Sequence, residues 1–239
     1  MKFAVQLYSL RGLIQSGEDL LNILPKVKEL GFEGVEFAGY FGLDASTLRA
    51  KLDEVGLVAV GTHIGISDFE EDTIAQTLAF CKTLGLRYAG VGGAPHATVE
   101  EAENTARILG RASEIAEKEG IKIYYHNHSE EFKDIGGVYA IDIIKKSVAL
   151  ELDTYWSFYA GVDNYKFIQE NADKIALFHI KDGRDGTPCA LGEGQNDLAA
   201  VFRAVKEIGT QWLILENDDP VPDGISDVTR SMKVLKANF

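Results

Sequence analysis

Three apolar runs in the second half of the chain each end on a side chain able to bind a metal ion. Residues 148–153 end on Asp153, residues 174–179 on His179, and residues 211–216 on Glu216. A short apolar run that stops at polar or glycine-rich sequence reads as a buried strand entering a loop. Adjacent strands lie about 4.8 Å apart, so three successive strand ends can converge on one ion. Imidazole mixed with carboxylate suits a borderline divalent cation such as Mn, Co, Zn or Fe, with Mg a harder alternative. Taken singly, each residue has a plainer reading. The acids suit helix caps or loop salt bridges, and the histidine suits a hydrogen-bonded place in the core. Three such residues at successive strand ends are less readily an accident.

Residues 124–132 add to this set. His126 and His128 are two apart and share one face of an extended strand. His126 is a candidate fourth metal ligand and His128 a candidate general acid or base. Glu131 competes for the fourth position, because a loop can return it to the strand end. Glu216 and Lys181 are the other candidate catalytic groups. Lys181 follows His179 by two, and beside a metal its pKa would fall, fitting it to orient an enolate oxygen or move a proton. Glu36 and His63, near the ends of the second and third strand patterns, are candidate substrate contacts. Trp156 could stack on the C–H face of a sugar.

The elements that must carry these residues repeat regularly. Strand patterns fall at 2–8, 34–37, 57–63, 87–91, 121–126, 148–153, 174–179 and 212–216. Helical patterns fall between or after them at 19–30, 44–55, 72–84, 98–119, 138–146, 163–171, 197–208 and 226–236. Pro25 predicts a late start or a kink in the first helix. Asp44 or Ser46, Thr98 and Ser226 are candidate N-caps, and Glu101 completes a capping box with Thr98. Eight strand–helix units without a linker predict an α/β fold, a (β/α)8 TIM barrel in one domain over 1–239. An open doubly wound sheet is the alternative. It usually has fewer units, and the G-x-G-x-x-G fingerprint is missing after the first strand.

The 239 residues suffice for one large core. Lys and Arg number 24 against 37 Asp and Glu, a net charge of −13. That balance opposes a nucleic-acid partner and docking on an anionic membrane. Two scattered cysteines form no disulfide framework, which predicts a reducing, cytoplasmic setting. No apolar run approaches the roughly 18 residues of a membrane span. A homo-oligomer is compatible with all of this.

The chain resembles the xylose-isomerase-like TIM barrel superfamily, the sugar phosphate isomerases/epimerases, and within it the YHNH subgroup related to inosose dehydratase. The resemblance rests on Gln6-Leu-Tyr-Ser-Leu-Arg11, Gly34-Val-Glu-Phe37, Tyr125-His-Asn-His128, Leu152-Asp-Thr-Tyr-Trp156, Ala160-Gly-Val-Asp163, His179-Ile-Lys-Asp182, Gly192-Glu-Gly194 and Glu216. It implies a divalent metal held by His126, Asp153, His179 and Glu216. It also implies proton transfer next to the carbonyl of a keto-sugar or keto-polyol, through an enediolate. In the keto-sugar epimerases the position of His126 is a glutamate that shares proton exchange with the position of Glu216. Histidine there brings the chain closer to the dehydratases and lyases of the superfamily. Two further expectations are weighed beside it. One is a non-catalytic metal- and sugar-binding barrel. The other is an abasic-site endonuclease-like hydrolase, which the acidic charge opposes.

Overall fold

A computed structural model describes residues 1–239. Eight parallel strands close into a barrel: β1 (Lys2–Gln6), β2 (Gly34–Ala38), β3 (Val58–His63), β4 (Tyr88–Val91), β5 (Lys122–His126), β6 (Ala149–Asp153), β7 (Ile175–Ile180) and β10 (Trp212–Leu215). The first and last strands close the ring, with Lys2 opposite Trp212 and Val5 opposite Leu215. Two further strands, β8 (Asp182–Arg184) and β9 (Thr187–Cys189), form a small antiparallel hairpin on the loop after β7.

The helices are α1 (Gly17–Leu30), α2 (Ala45–Val55), α3 (Ile74–Leu84), α4 (Val99–Ala116), α5 (Ala140–Ile144), α6 (Thr154–Tyr159), α7 (Asn164–Glu170), α8 (Leu198–Ile208) and α9 (Gly224–Asn238). No helix is long and apolar enough to cross a membrane. Caps set several boundaries. Asp44, not Ser46, caps α2 by accepting from the Thr47 N–H at 2.9 Å. Thr98 caps α4 through the Glu101 N–H, while the Glu101 carboxylate reaches the N–H of Ala97 rather than that of Thr98. Ser226 does not cap α9. It lies inside the helix, and Asp223 accepts from its backbone N–H at 2.8 Å. Helix α1 runs unbroken through Pro25. The sequence pattern at 138–146 yields only the short α5, and α6 and the hairpin were not anticipated from the sequence.

The main core, 52 buried residues, fills the layer between the strands and the outer helices. A second cluster of six, Ala4, Val60, Tyr124, Leu177, Trp212 and Ile214, plugs the lower lumen. Residues of the same parity higher on these strands, Gln6, His126, His179 and Glu216, therefore face the upper lumen. The ring carries two register shifts. One falls immediately before Glu36 in the β2–β3 pairing, the other immediately before Glu151 in the β6–β7 pairing. Such irregularities re-aim the side chains that follow them.

Candidate functional site

Strands β5, β6 and β7 and the residue after β10 bring His126, Asp153, His179 and Glu216 together, with ligand atoms all within 4.8 Å of one another. Asp153 and His179 are paired directly across the β6–β7 register. All four are buried. Asp153 does two jobs: its Oδ1 accepts the N–H groups of Tyr155 and Trp156, each at 2.9 Å, and so caps α6. Its Oδ2 remains turned to the site, 4.0 Å from His126 Nε2. The helix-cap reading of this aspartate is met by Oδ1, while Oδ2 faces the site, where Lys181 Nζ lies 2.8 Å away.

Glu131 is not part of this cluster. Tyr125 alternates with His126, points away from the lumen and donates to Glu131 Oε1 at 2.8 Å. The other Glu131 oxygen accepts the His128 N–H at 2.9 Å. Glu131 therefore braces the loop that carries His128 and is removed as the fourth ligand.

His179 has a carboxylate on each side. Nδ1 lies 2.8 Å from Glu216, and Nε2 lies 2.5 Å from Glu36 and 3.2 Å from Glu151. Burial lowers its pKa, but Glu151, Glu216 and Glu36 outweigh burial and hold it well above the usual range. His126 behaves oppositely. Burial and the neighbouring His179 push it well below its ordinary value. It stays neutral with a free lone pair, which is the form a metal requires.

Lys181 is surrounded by carboxylates. Its ammonium lies 2.8 Å from Asp153, 2.6 Å from Glu216 and 2.7 Å from Asp218. Burial lowers its pKa, but these three carboxylates reverse the sign and hold it well above normal. Without a metal in the site, these carboxylates hold Lys181 as an ammonium. Glu216 is held well below the carboxylate range: burial opposes this, and Lys181 and His179 override it. Asp153 moves up, because burial outweighs its lysine.

Glu36 lies beneath the site, not against substrate space. Fully buried, it accepts from Gln6 Nε2 at 3.0 Å and from the Tyr124 hydroxyl. Burial and the nearby Glu151 carboxylate raise its pKa. His63 does reach a cavity. Its Nε2 is 2.6 Å from Glu151 Oε2, and it packs closely on Gly92, where a Cβ would come 2.7 Å from His63 Nδ1. The cavity, about 420 Å³, is lined by Tyr8, Ala38, His63, Gly92, His126, His128, Glu216 and Asp218. Half-buried His128 thus sits where an acid or base would meet a ligand. Trp156 lies behind it, ring centroids 6.1 Å apart, with a buried Nε1–H that has no partner.

Sequence reasoning missed Gln6, Tyr124, Glu151 and Asp218. Parity along the strands could have found the middle two. Glu151 stands to Asp153, and Tyr124 to His126, as one layer of the lumen to the next.

The donor set fits a divalent cation. It combines imidazole and carboxylate, all buried, and Glu151 Oε1 beside it has no hydrogen-bond partner within the chain.

Comparison with known proteins agrees with this picture. An inosose dehydratase from Geobacillus kaustophilus is 28% identical over 247 residues, covering 83% of this chain and 80% of that protein. A sugar phosphate isomerase/epimerase structure from Parabacteroides distasonis superposes with a TM-score of 0.87 at 22% identity, over 99% of this chain and 96% of that one. An L-ribulose 3-epimerase structure gives a TM-score of 0.77 at 17% identity, over 99% and 94% of the two chains. The model of the xylose isomerase-like TIM barrel matches residues 24–238. The chain belongs to the xylose isomerase-like TIM barrel family.

Proposed function

We propose that the protein is a metal-dependent lyase that dehydrates an uncharged keto-sugar or keto-polyol. The observation that carries this reading is the pairing of Glu216 and His128 on one cavity, with histidine rather than carboxylate at position 126. His126, Asp153, His179 and Glu216 would hold the ion, which when bound supplies electrophilic polarisation of a carbonyl. Glu216 is ionised, and on this reading it takes the proton from the carbon next to the carbonyl. His128 gives a proton to the hydroxyl on the following carbon as that C–O bond breaks. The electron pair of the broken C–H bond becomes the new double bond, and the hydroxyl leaves as water. Epimerisation needs a second base on the opposite face, and a ligand imidazole has no lone pair left for it.

Two further points support the reading. The cavity lining contains acids and histidines but no lysine or arginine, and Lys181 is already matched by three carboxylates. An uncharged substrate suits such a lining better than a phosphate ester. The printed name of the Geobacillus relative is that of a dehydratase.

The test is product analysis of the purified, metal-loaded protein in deuterated water, with inososes, 3-keto-glycosides and free ketohexoses offered in parallel. A dehydrated product from a keto-polyol is expected. C-3 epimers of free ketoses, with no dehydrated product from any substrate, would overturn the assignment.

A further inference from the structure

We propose that His63, His126, Glu151 and His179 form a second divalent-cation site, one layer below the Asp153–Glu216 set and filled in alternation with it. Glu151 Oε2 is its centre. Three imidazole nitrogens face this one oxygen: His63 Nε2 at 2.6 Å, His179 Nε2 at 3.2 Å and His126 Nδ1 at 3.3 Å. The four ligand atoms lie within 4.8 Å of one another. A tetrahedral zinc ion holds nitrogen and oxygen at roughly 2.0–2.2 Å, which sets neighbouring ligands about 3.3–3.5 Å apart. Two of the three contacts are close to that spacing, and the third needs a shift of less than about 1 Å.

Other features mark this as a built site. One oxygen of the group, Glu151 Oε1, is buried and partnerless, and His126 Nδ1 has only its 3.3 Å approach to Glu151 Oε2, an arrangement that costs stability unless something else binds there. The three rings pack with centroids 5.0, 5.4 and 4.5 Å apart, which three imidazolium charges would oppose. A register shift precedes Glu151, and Gly92 leaves the room that His63 occupies. Glu36 stands by as a further oxygen donor, 2.5 Å from His179 Nε2 and 3.6 Å from His63 Nε2.

The upper set, by contrast, already holds a cation. Lys181 Nζ lies against Asp153 Oδ2 and Glu216 Oε2, the oxygens an upper ion would need. With Lys181 seated, the lumen oxygen left without a partner, Glu151 Oε1, belongs to the lower set. The two sets share His126 and His179, and a neutral imidazole has one lone pair, so each histidine serves one ion at a time. One ion per chain therefore has two positions. In the lower position Lys181 neutralises the acids above it; in the upper position the ion displaces Lys181 toward Asp218. The site stands on its own geometry and does not rest on the dehydratase reading.

Metal counting after equilibrium dialysis against Co²⁺ tests it, with circular dichroism as a check of folding. The proteins are the wild type, Asp153→Ala for the upper set, His63→Ala and Glu151→Gln for the lower set, and the double variant Asp153→Ala/His63→Ala. One equivalent is expected in the wild type and in each single variant. The double variant should bind at least about 100-fold more weakly. Loss of the ion in Asp153→Ala overturns the lower site; if His63→Ala and Glu151→Gln then keep it, the upper set stands. The reverse pattern supports the lower site and removes the upper one. Two equivalents in the wild type overturn the alternation, and an ion kept by the double variant overturns both sets. Should the double variant not fold, Asp153→Asn/Glu151→Gln, which preserves side-chain volume, replaces it with the same outcomes.

Discussion

Lys181 Nζ stands 2.6 Å from Glu216 Oε2 inside the lumen, and the lysine has no contact with solvent. Removing one member of a buried ion pair leaves the others uncompensated, at a cost of about 3–5 kcal/mol. Lys181→Met should therefore lower metal-free stability by about that much. It should also tighten divalent-metal binding, because the competing ammonium is gone. Urea denaturation in EDTA and in Mn²⁺ checks both halves. Equal stability of variant and parent in EDTA would show that the pair carries no weight.

His128 lines the cavity but belongs to neither group of candidate ligands. His128→Ala should bind metal as the wild type does and lose turnover by roughly 10²–10⁴-fold, the usual contribution of a general acid–base group. Metal counting beside steady-state kinetics is the measurement. An unchanged rate on the true substrate would make His128 a structural residue only.

Trp156 keeps a buried, partnerless indole N–H behind His128. Trp156→Phe retains a ring and deletes the donor. If that N–H waits for a substrate oxygen, KM should rise while thermal stability holds or improves, since an unsatisfied donor has been removed. A lower melting temperature with unchanged KM would assign the indole to packing instead.

Asp227, near the start of α9, is pushed up to about 6 by burial. Its Oδ2 accepts from Asn217 at 2.8 Å while its Oδ1 has no partner. An ordinary aspartate titrates near about 3.9 in the unfolded chain. Between those values the folded state holds the proton and the unfolded state has lost it, so this group makes stability fall as pH rises. Asp227→Asn should match the wild type at about pH 4 and exceed it above about pH 6. Chemical denaturation across that range gives the difference curve; a flat difference would refute the assignment.

The barrel was legible in the sequence because its signal is redundant. Eight runs of one kind alternate with amphipathic segments, and an error of a few residues in any one changes nothing. The four upper residues were legible because each lies at or beside a strand end. Glu151 and Glu36 were harder to read. They lie within apolar strands, where an acid looks like an exception until the neighbouring histidines are known to face it. The carboxylates around Lys181 were hard to read for the same reason: Asp218 arrives from a loop 37 residues away. The six-residue α6 carries too short a period to register, and its cap is an aspartate that also faces the site.

The division of the interior into a 52-residue outer core and a six-residue plug has an evolutionary consequence. Most of the apolar surface that holds the fold together lies outside the strands, while the reactive groups hang inside the ring. Exchange of one lumen side chain for another, at a position such as 126, leaves the outer layer untouched. Lineages of this barrel can thus change their chemistry one lumen residue at a time while inheriting the same scaffold.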